Sequence, residues 1–197
     1  MGLLTAPLRR LLENLRMNRP MWPILSALVL LLAACSGGSP QPNPSAAPVL
    51  PDASARAILE YELIDVRTGE PFTFGELAAD RPVLVETMAV WCTTCLSQQR
   101  EVVRAHQVLD FHSVGIDVDP NERASELASY AERQGFDWRF AMADTALVQL
   151  LTDAYGFAVI NPPSTPTLVI TTDGQIRALE FGRVRSAEEL LAELDAG

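Results

Sequence analysis

The 197-residue chain contains no lysine, so all 15 of its basic residues are arginines, and they stand against 25 acidic residues. Without lysine the protein cannot form a Schiff base with a carbonyl substrate or bind phosphate through a P-loop. The formal net charge of −10 argues against nucleic acid as the main partner, because phosphate binding needs clustered cations. Apolar residues nevertheless make up 48% of the chain, which is enough for a packed core.

Cysteine and histidine are also scarce. The three cysteines, Cys35, Cys92 and Cys95, are too few for a small fold held together by several disulfides. A zinc site built on Cys92 and Cys95 would need two more ligands, and the chain has only the histidines His106 and His112 to offer. The Cys-x-x-Cys spacing therefore favours a redox pair over half of a zinc site.

The first 34 residues have the pattern of a secretory signal. Four arginines and one glutamate precede an apolar run from Met21 to Ala34. This run is shorter than the roughly 20 residues that cross a bilayer, which favours a cleaved signal over an uncleaved membrane helix. Its ending, Leu-Ala-Ala-Cys35, resembles the lipobox of bacterial lipoproteins and implies cleavage before Cys35 and lipid attachment to that residue. Met1 and Met17 are both candidate starts, since the second gives a signal of more usual length.

Residues 35–56 are predicted to be the lipidated cysteine and a tether. Of residues 36–56, 15 of 21 are proline, glycine, serine or alanine, so there is little to bury. The folded domain is predicted over residues 57–197, a usual size for one domain. We therefore expect an extracytoplasmic domain attached to a bacterial membrane by lipid.

The remaining chain alternates predicted strands and helices. Strands are predicted over 58–66, 82–89, 114–118 and 137–141, with a hairpin of 165–171 and 175–181 around Asp173-Gly174. Helices are predicted over 92–110, from about 121 to 134 with a stop at Gly135, and over 145–155 and 187–194. This order predicts an α/β layer fold with right-handed crossovers.

The candidate chemistry lies at Trp91-Cys92-Thr93-Thr94-Cys95, where a buried strand ends and a helix begins. A helix N-terminus offers unpaired N–H groups and a positive dipole end, which stabilise a thiolate. Cys92 is predicted in the exposed first turn, and Cys95 one turn later, facing inward. In such motifs the exposed thiol has a pKa of about 3.5–7. Cys92 is therefore the predicted nucleophile and Cys95 the resolving residue, with their disulfide as the only redox group.

The sequence VLVETMAVWCTTC of residues 83–95 resembles the active-site strand and turn of the thioredoxin superfamily. STPTLVI, residues 164–170, resembles its cis-proline strand, and DGQI, residues 173–176, the hairpin that follows. The match covers about residues 58–197 and implies a thioredoxin-like fold. The separation of 71 positions from Cys95 to Pro166 implies an extra strand–helix insertion between the Cys-x-x-Cys helix and the cis-proline strand.

This enlargement and the lipid anchor resemble the extracytoplasmic TlpA/ResA-type thiol–disulfide oxidoreductases. The resemblance implies reduction of disulfides in exported proteins, such as apocytochrome c or copper-centre precursors, with electrons supplied by a membrane carrier of the DsbD/CcdA type. Residues 114–120 and 137–140 also resemble Sco-type copper chaperones, which use a wider cysteine pair and a downstream histidine. The alternatives are therefore a Sco-like chaperone that binds Cu(I) through Cys92 and Cys95, and a structural lipoprotein with a vestigial site.

The resemblance also implies substrate-binding residues beside the cysteines. It implies that the Thr165–Pro166 bond is cis, that this loop lies against the cysteine pair, and that the backbone of Thr165 pairs with a substrate strand. The alternative is a trans proline that ends the loop of residues 161–163. Trp91 is predicted to cover the disulfide or, alternatively, to anchor the substrate.

Acidic residues near the motif receive two different interpretations. Glu86 interrupts an apolar strand six residues before Cys92, where thioredoxins carry a buried acid. A carboxyl group buried there would have a raised pKa and could accept the proton of Cys95. The alternative is that strand twist brings Glu86 to a polar edge or an arginine. Asp117 and Asp119 are predicted to be solvated or to lie at a helix end.

Overall fold

The computed structural model describes residues 52–196. The predicted signal of residues 1–34, the predicted lipidation site Cys35 and most of the predicted tether lie outside the described residues. Within residues 52–196, no helix combines the length and the apolar character that crossing a bilayer would require.

The described residues form helices and strands in the alternating order expected from the sequence. In chain order they are α1 (Asp52–Leu59), β1 (Leu63–Ile64), β2 (Pro71–Phe72), α2 (Phe74–Ala78), β3 (Val83–Met88), α3 (Thr93–His106), β4 (His112–Asp117), α4 (Ala124–Gln134), β5 (Arg139–Met142), α5 (Thr145–Tyr155), the 3₁₀ turns Phe157–Ile160 and Pro162–Ser164, β6 (Thr167–Ile170), β7 (Ile176–Ala178) and α6 (Ala187–Asp195).

A five-stranded sheet in the order β5-β4-β3-β6-β7 forms the centre of this domain, and β1 and β2 form a separate antiparallel pair. The central strand β3 runs parallel to β4, with Met88 opposite Asp117, and antiparallel to β6, with Glu86 opposite Thr167. Because β3 and β4 are parallel, their carboxyl ends meet at one edge of the sheet, where α3 begins. The predicted α/β fold and the predicted hairpin of β6 and β7 are confirmed.

Helices cover both faces of the sheet, and the alternation of β3 divides its side chains between them. Leu84 and Met88 face the core formed with α3, α4 and α6. Val83 and Val85 face the opposite core, formed with α1, α2 and α5. Every residue of β3 is buried, which agrees with the prediction of a central strand covered on both sides.

Helix ends follow local sequence signals. Helix α4 ends at Gly135, whose φ of 72° lies in the left-handed region that glycine adopts without strain. Asp144 caps α5 by accepting a hydrogen bond from the N–H of Leu147 at 2.9 Å, and the predicted range 145–155 is the observed one.

The predicted strand over residues 58–66 is largely wrong. Helix α1 extends to Leu59 and begins at Asp52, inside the predicted tether, and only Leu63–Ile64 form a strand. The segment Asp52–Leu59 contains three alanines and an arginine, which favour a helix, and its Ile58 is 1% exposed against the sheet. The predicted helix of residues 92–110 is shorter than expected, since α3 ends at His106.

Candidate active site

The site is built where β3 leads into α3. Cys92 is the N-cap residue of α3, with an extended backbone (φ −77°, ψ 105°), and its Sγ accepts a hydrogen bond from the N–H of Cys95 at 3.1 Å. The first N–H groups of a helix have no partner within the helix, and an N-cap side chain satisfies one of them. A sulfur atom thus takes the position that an oxygen of serine or aspartate usually occupies.

Cys92 and Cys95 form a disulfide, with 5.3 Å between their Cα atoms. Their sulfurs have different surroundings. Cys92 Sγ faces the N–H of Cys95 and lies 3.3 Å from the hydroxyl oxygen of Thr94. Cys95 Sγ instead lies 3.2 Å from the carbonyl oxygen of Pro162. When the pair is reduced, an N–H stabilises a thiolate, whereas a carbonyl oxygen can only accept a hydrogen bond from a protonated thiol. The surroundings therefore favour Cys92 as the thiolate and Cys95 as the thiol.

The predicted exposure of Cys92 is wrong. Its exposed fraction is 3%, the same as that of Cys95. The Pro162–Ser164 turn packs on the first turn of α3, and the hydroxyl group of Thr94 donates to the carbonyl oxygen of Pro163 at 3.3 Å. Since Thr94 itself is exposed, the disulfide lies just beneath the surface at the edge of this turn.

The loop before β6 touches the cysteines through Pro162, a residue that was not predicted to belong to the site. Thr165 and Pro166 are both buried, and the carbonyl oxygen of Pro166 accepts a hydrogen bond from the N–H of Thr87 at 3.2 Å. The run Asn161-Pro162-Pro163 was visible in the sequence as a loop, but its contact with α3 depends on the fold. The cis Thr165–Pro166 bond stays a prediction.

Thr165 has a strained backbone. Its φ of 47° lies in the left-handed region, which is uncommon for a β-branched residue. Its N–H donates to the carbonyl oxygen of Pro162 at 2.8 Å, and its hydroxyl group donates to the carbonyl oxygen of Arg183 at 2.6 Å. In this conformation the loop itself uses the N–H of Thr165. The predicted pairing of Thr165 with a substrate strand stays a prediction, and it would require this loop to open.

Glu86 lies in the interior, between Leu84 and Met88 on the face of β3 that packs under α3. It is 6% exposed, and its Oε1 atom has no hydrogen-bond partner among the described residues. Burial raises the pKa of Glu86 to about 8, although the Gln99 side chain acts in the opposite direction. The polar-edge alternative does not fit this position. Proton transfer by Glu86 stays a prediction.

Trp91 is 57% exposed, and its indole N–H donates to Asp119 Oδ2 at 2.7 Å. The contacts around the two sulfurs come from Thr94 and Pro162, so a role for Trp91 in covering the disulfide stays a prediction. The indole bond helps hold the pKa of Asp119 below its ordinary value.

Two acidic residues close to the turn that leads from β3 to Cys92 were missed or misjudged from the sequence. Asp117 is fully buried, so its predicted solvated position is wrong. Burial, and then contact with the carboxyl group of Glu122, raises the pKa of Asp117 to about 8. Glu122 in turn accepts a hydrogen bond from the N–H of Val90 at 2.8 Å. The segment that follows β4 thus supports the turn that carries Cys92, and it lies there because β4 is directly beside β3.

No protein-family model matches the sequence, and no curated protein matches it. Solved structures do match. A thiol:disulfide interchange protein of the thioredoxin family from Chlorobium tepidum is 23% identical, with a TM-score of 0.56 over 69% of this chain and 91% of that chain. A secreted disulfide oxidoreductase of Mycobacterium tuberculosis, described as homologous to Escherichia coli DsbE, is 16% identical, with a TM-score of 0.54 over 75% and 100%.

A SCO1/SenC family lipoprotein from Bacillus anthracis is also similar, with 15% identity and a TM-score of 0.56 over 69% of this chain and 91% of that chain. These likenesses confirm the predicted thioredoxin-like fold. Two strand–helix units, β4–α4 and β5–α5, separate α3 from β6 in this chain. That one of them is an insertion relative to the family stays a prediction.

Proposed function

From a thioredoxin-like fold that carries a Cys-x-x-Cys disulfide at a helix N-terminus, we propose that this protein is a thiol–disulfide oxidoreductase. The observation that carries the proposal is the asymmetry of the two sulfurs. An N–H group faces Cys92 Sγ, and a carbonyl oxygen faces Cys95 Sγ. This arrangement suits a pair in which one thiol attacks and the other stays protonated until it is needed.

The reaction proceeds by two exchanges. The Cys92 thiolate attacks one sulfur of a substrate disulfide, a mixed disulfide forms, and the other substrate sulfur leaves as a thiolate. Cys95 then loses its proton and attacks Cys92 Sγ, which closes the Cys92–Cys95 disulfide and releases the second substrate thiolate. Two electrons pass from the protein to the substrate. Glu86 accepts the proton of Cys95 in the second exchange.

Substrates reach Cys92 when the Pro162–Ser164 turn moves away from α3. Opening this loop frees the backbone of Thr165 beside Pro166, where an extended substrate segment pairs with it. Trp91, exposed and next to Cys92, forms part of the same surface. The left-handed backbone of Thr165 supports this proposal, because such a conformation persists only where surrounding contacts hold it, here those of the closed loop.

The physiological substrates in this proposal are disulfides of exported proteins, such as apocytochrome c or copper-centre precursors. A membrane electron carrier of the DsbD/CcdA type reduces the pair again, and a lipid on Cys35 holds the protein at the membrane. Two observations support an extracytoplasmic location: the lipobox-like sequence before Cys35, and similarity in fold to a secreted protein and a lipoprotein.

Insulin reduction tests the activity. The full-length chain in detergent, with dithiothreitol as electron donor, should accelerate precipitation of the insulin B chain well above the uncatalysed rate. Cys92→Ser should remove this acceleration, while the exposed-site variant Ser97→Ala should retain it. If the wild-type chain were no faster than dithiothreitol alone, with insulin and with a small mixed disulfide such as oxidised glutathione, the proposal would be wrong.

Copper binding is a second candidate function, favoured by the similarity to the SCO1/SenC family lipoprotein. Two thiolates can hold Cu(I). No group of three cysteine, histidine, aspartate or glutamate side chains that could hold a metal ion occurs in residues 52–196, so Cu(I) would be held by the two cysteine sulfurs. Competition of the reduced chain with a chromophoric Cu(I) chelator separates the candidates. A chaperone should retain one Cu(I) against the chelator and lose it in Cys92→Ser and Cys95→Ser.

A further inference from the structure

Glu86 has an unusual environment for a buried carboxyl group. Burial and the Gln99 side chain are the two influences on its pKa, and no arginine forms a salt bridge with it among the described residues. Burial raises the pKa of the neighbouring Tyr130. Among the charged groups, Glu86 and Glu122 raise this pKa as well, and Arg100 on α3 lowers it. A buried carboxylate without a cation needs another group that stabilises its charge.

Gln99 is the side chain that lowers the pKa of this carboxyl, against the larger effect of burial. It follows Cys95 by one helical turn on α3, and it is 0% exposed. Its Oε1 atom accepts a hydrogen bond from the hydroxyl group of Tyr130. The amide NH₂ is consequently the end that faces β3, where Nε2 lies 3.6 Å from Met88 Sδ. Glu86 lies two residues before Met88 on the same face of β3, so it faces the helix that carries this NH₂ group, and the Gln99 side chain lowers its pKa.

The pair formed by Gln99 and Tyr130 carries no fixed charge, and its hydrogen bonds can reverse. With Glu86 ionised, the Gln99 NH₂ donates to the carboxylate and the Tyr130 hydroxyl donates to the amide oxygen. With Glu86 protonated, the carboxylic acid donates to the amide oxygen after the amide turns, and the NH₂ donates to the tyrosine oxygen. A lysine or arginine in this position would stabilise only the ionised form.

We propose that Gln99, held in place by Tyr130, is a positioning residue that allows Glu86 to take up and release a proton beneath the cysteine pair. This inference deepens the proposed function and rests on it for the exchange reaction. The part of the inference that concerns the protonation of Glu86 is independent of the proposed function. The amide couples helix α3, which carries Cys95, to the buried carboxyl of β3, and Tyr130 adds the link to α4.

Infrared titration of the full-length protein in its disulfide form tests the inference directly. The carboxylic acid C=O band that disappears in Glu86→Gln identifies Glu86. In Gln99→Met, which keeps the length of the side chain but has no NH₂ group, the midpoint of this band should move up by about one pH unit or more. In Tyr130→Phe, which removes one hydroxyl group, it should move up by a smaller amount.

The exchange reaction gives a second measurement. The pH profile of insulin reduction should shift to higher pH in Gln99→Met and should not shift when this change is added to Glu86→Gln. An unchanged infrared midpoint in both folded variants overturns the inference. It is also overturned if Gln99→Met shifts the pH profile of insulin reduction equally in the wild type and in the Glu86→Gln background. If Gln99→Met does not fold, Tyr130→Phe alone decides by the same criterion. If the wild type reduces no disulfide, the proposed function fails, and the infrared titration still decides the inference.

Discussion

The Sγ atom of Cys92 lies 3.1 Å from the backbone nitrogen of Cys95, so an N–H in the first turn of α3 donates to the first sulfur of the pair. The second sulfur meets the carbonyl oxygen of Pro162 at 3.2 Å. The two cysteines are equally buried, and they differ in what touches their sulfurs. This difference gives each cysteine a distinct expected behaviour.

Substitution of the two cysteines should therefore have unequal effects. Cys95→Ser leaves the Cys92 thiolate next to its N–H donor but removes the residue that resolves the mixed disulfide, so covalent complexes with substrate should accumulate. Cys92→Ser should trap at least about tenfold less, because a thiol without an N–H partner is a poorer nucleophile at neutral pH. Non-reducing electrophoresis and mass spectrometry measure the complexes. Equal trapping by both variants would contradict the assignment.

Glu86 should make the protein less stable as the pH rises. Its pKa is about 8 in the folded state against 4.5 for the unfolded reference, so the folded state holds a proton that the unfolded state has lost. This contribution to stability is complete below about pH 4.5 and is lost as the pH rises to about 8. Asp117, with a pKa of about 8 against 3.8, acts in the same direction.

The variant Glu86→Gln should remove part of this slope and leave the part due to Asp117. At pH 8 it should be more stable than the wild type by an amount on the order of a few kcal/mol. Urea unfolding at several pH values measures the slope. Glu132→Gln, on the exposed side of α4, is the matched control and should leave the slope unchanged. A wild-type slope retained in Glu86→Gln would be inconsistent with this account.

The bond between Trp91 and Asp119 should fix the position of the indole without adding much stability. Asp119→Ala removes the acceptor, and Asp119→Asn keeps an oxygen in the same place. Because Trp91 is exposed and Asp119 is only partly buried, the free energy of unfolding should change by less than about 1 kcal/mol. ¹⁹F NMR of fluorotryptophan-labelled protein, with Trp91→Phe for assignment, should show a shifted and broadened Trp91 signal in Asp119→Ala only. An unaltered signal would show that the bond does not hold Trp91.

Gly115 should tolerate no side chain. It lies on β4 opposite Phe140 of β5, and a Cβ atom at this position would overlap the Phe140 ring. Phe140 is fully buried, so its ring has little room to move. Gly115→Ala should lower the free energy of unfolding by about 1–3 kcal/mol. Gly115→Ala should therefore cost less stability in the Phe140→Leu background than it costs in the wild type. Fully additive losses would contradict this account.

The hydroxyl group of Thr165 should help to keep the loop closed over the cysteines. Thr165→Val retains the shape of the side chain and loses the bond to Arg183, so the unfolding free energy should fall by about 1 kcal/mol. In the reduced protein, alkylation of Cys92 by iodoacetamide should become several-fold faster. Thr171→Val, just beyond the far end of β6, is the matched control. It should also lose stability, but its alkylation rate should stay at that of the wild type.

Much of the fold could be predicted because its signals are local. The apolar segment of β3, the glycine at position 135 and the range of α5 depend on neighbouring residues, and each was found where expected. The short pairing of β1 with β2 and the helix at Asp52–Leu59 were not predicted. Both are stabilised by packing against the sheet, and residue pattern does not indicate that packing.

The sequence by itself determined that two cysteines stand one helical turn apart where a strand becomes a helix, since residue spacing and helix geometry fix this arrangement. Only the tertiary structure decided what surrounds them. Pro162 lies 67 residues beyond Cys95, and Asp119 lies 28 residues beyond Trp91, yet each pair is in contact. Such contacts depend on how strands align in the sheet. For this reason the exposure of Cys92 was predicted incorrectly, while its position at the start of the helix was predicted correctly.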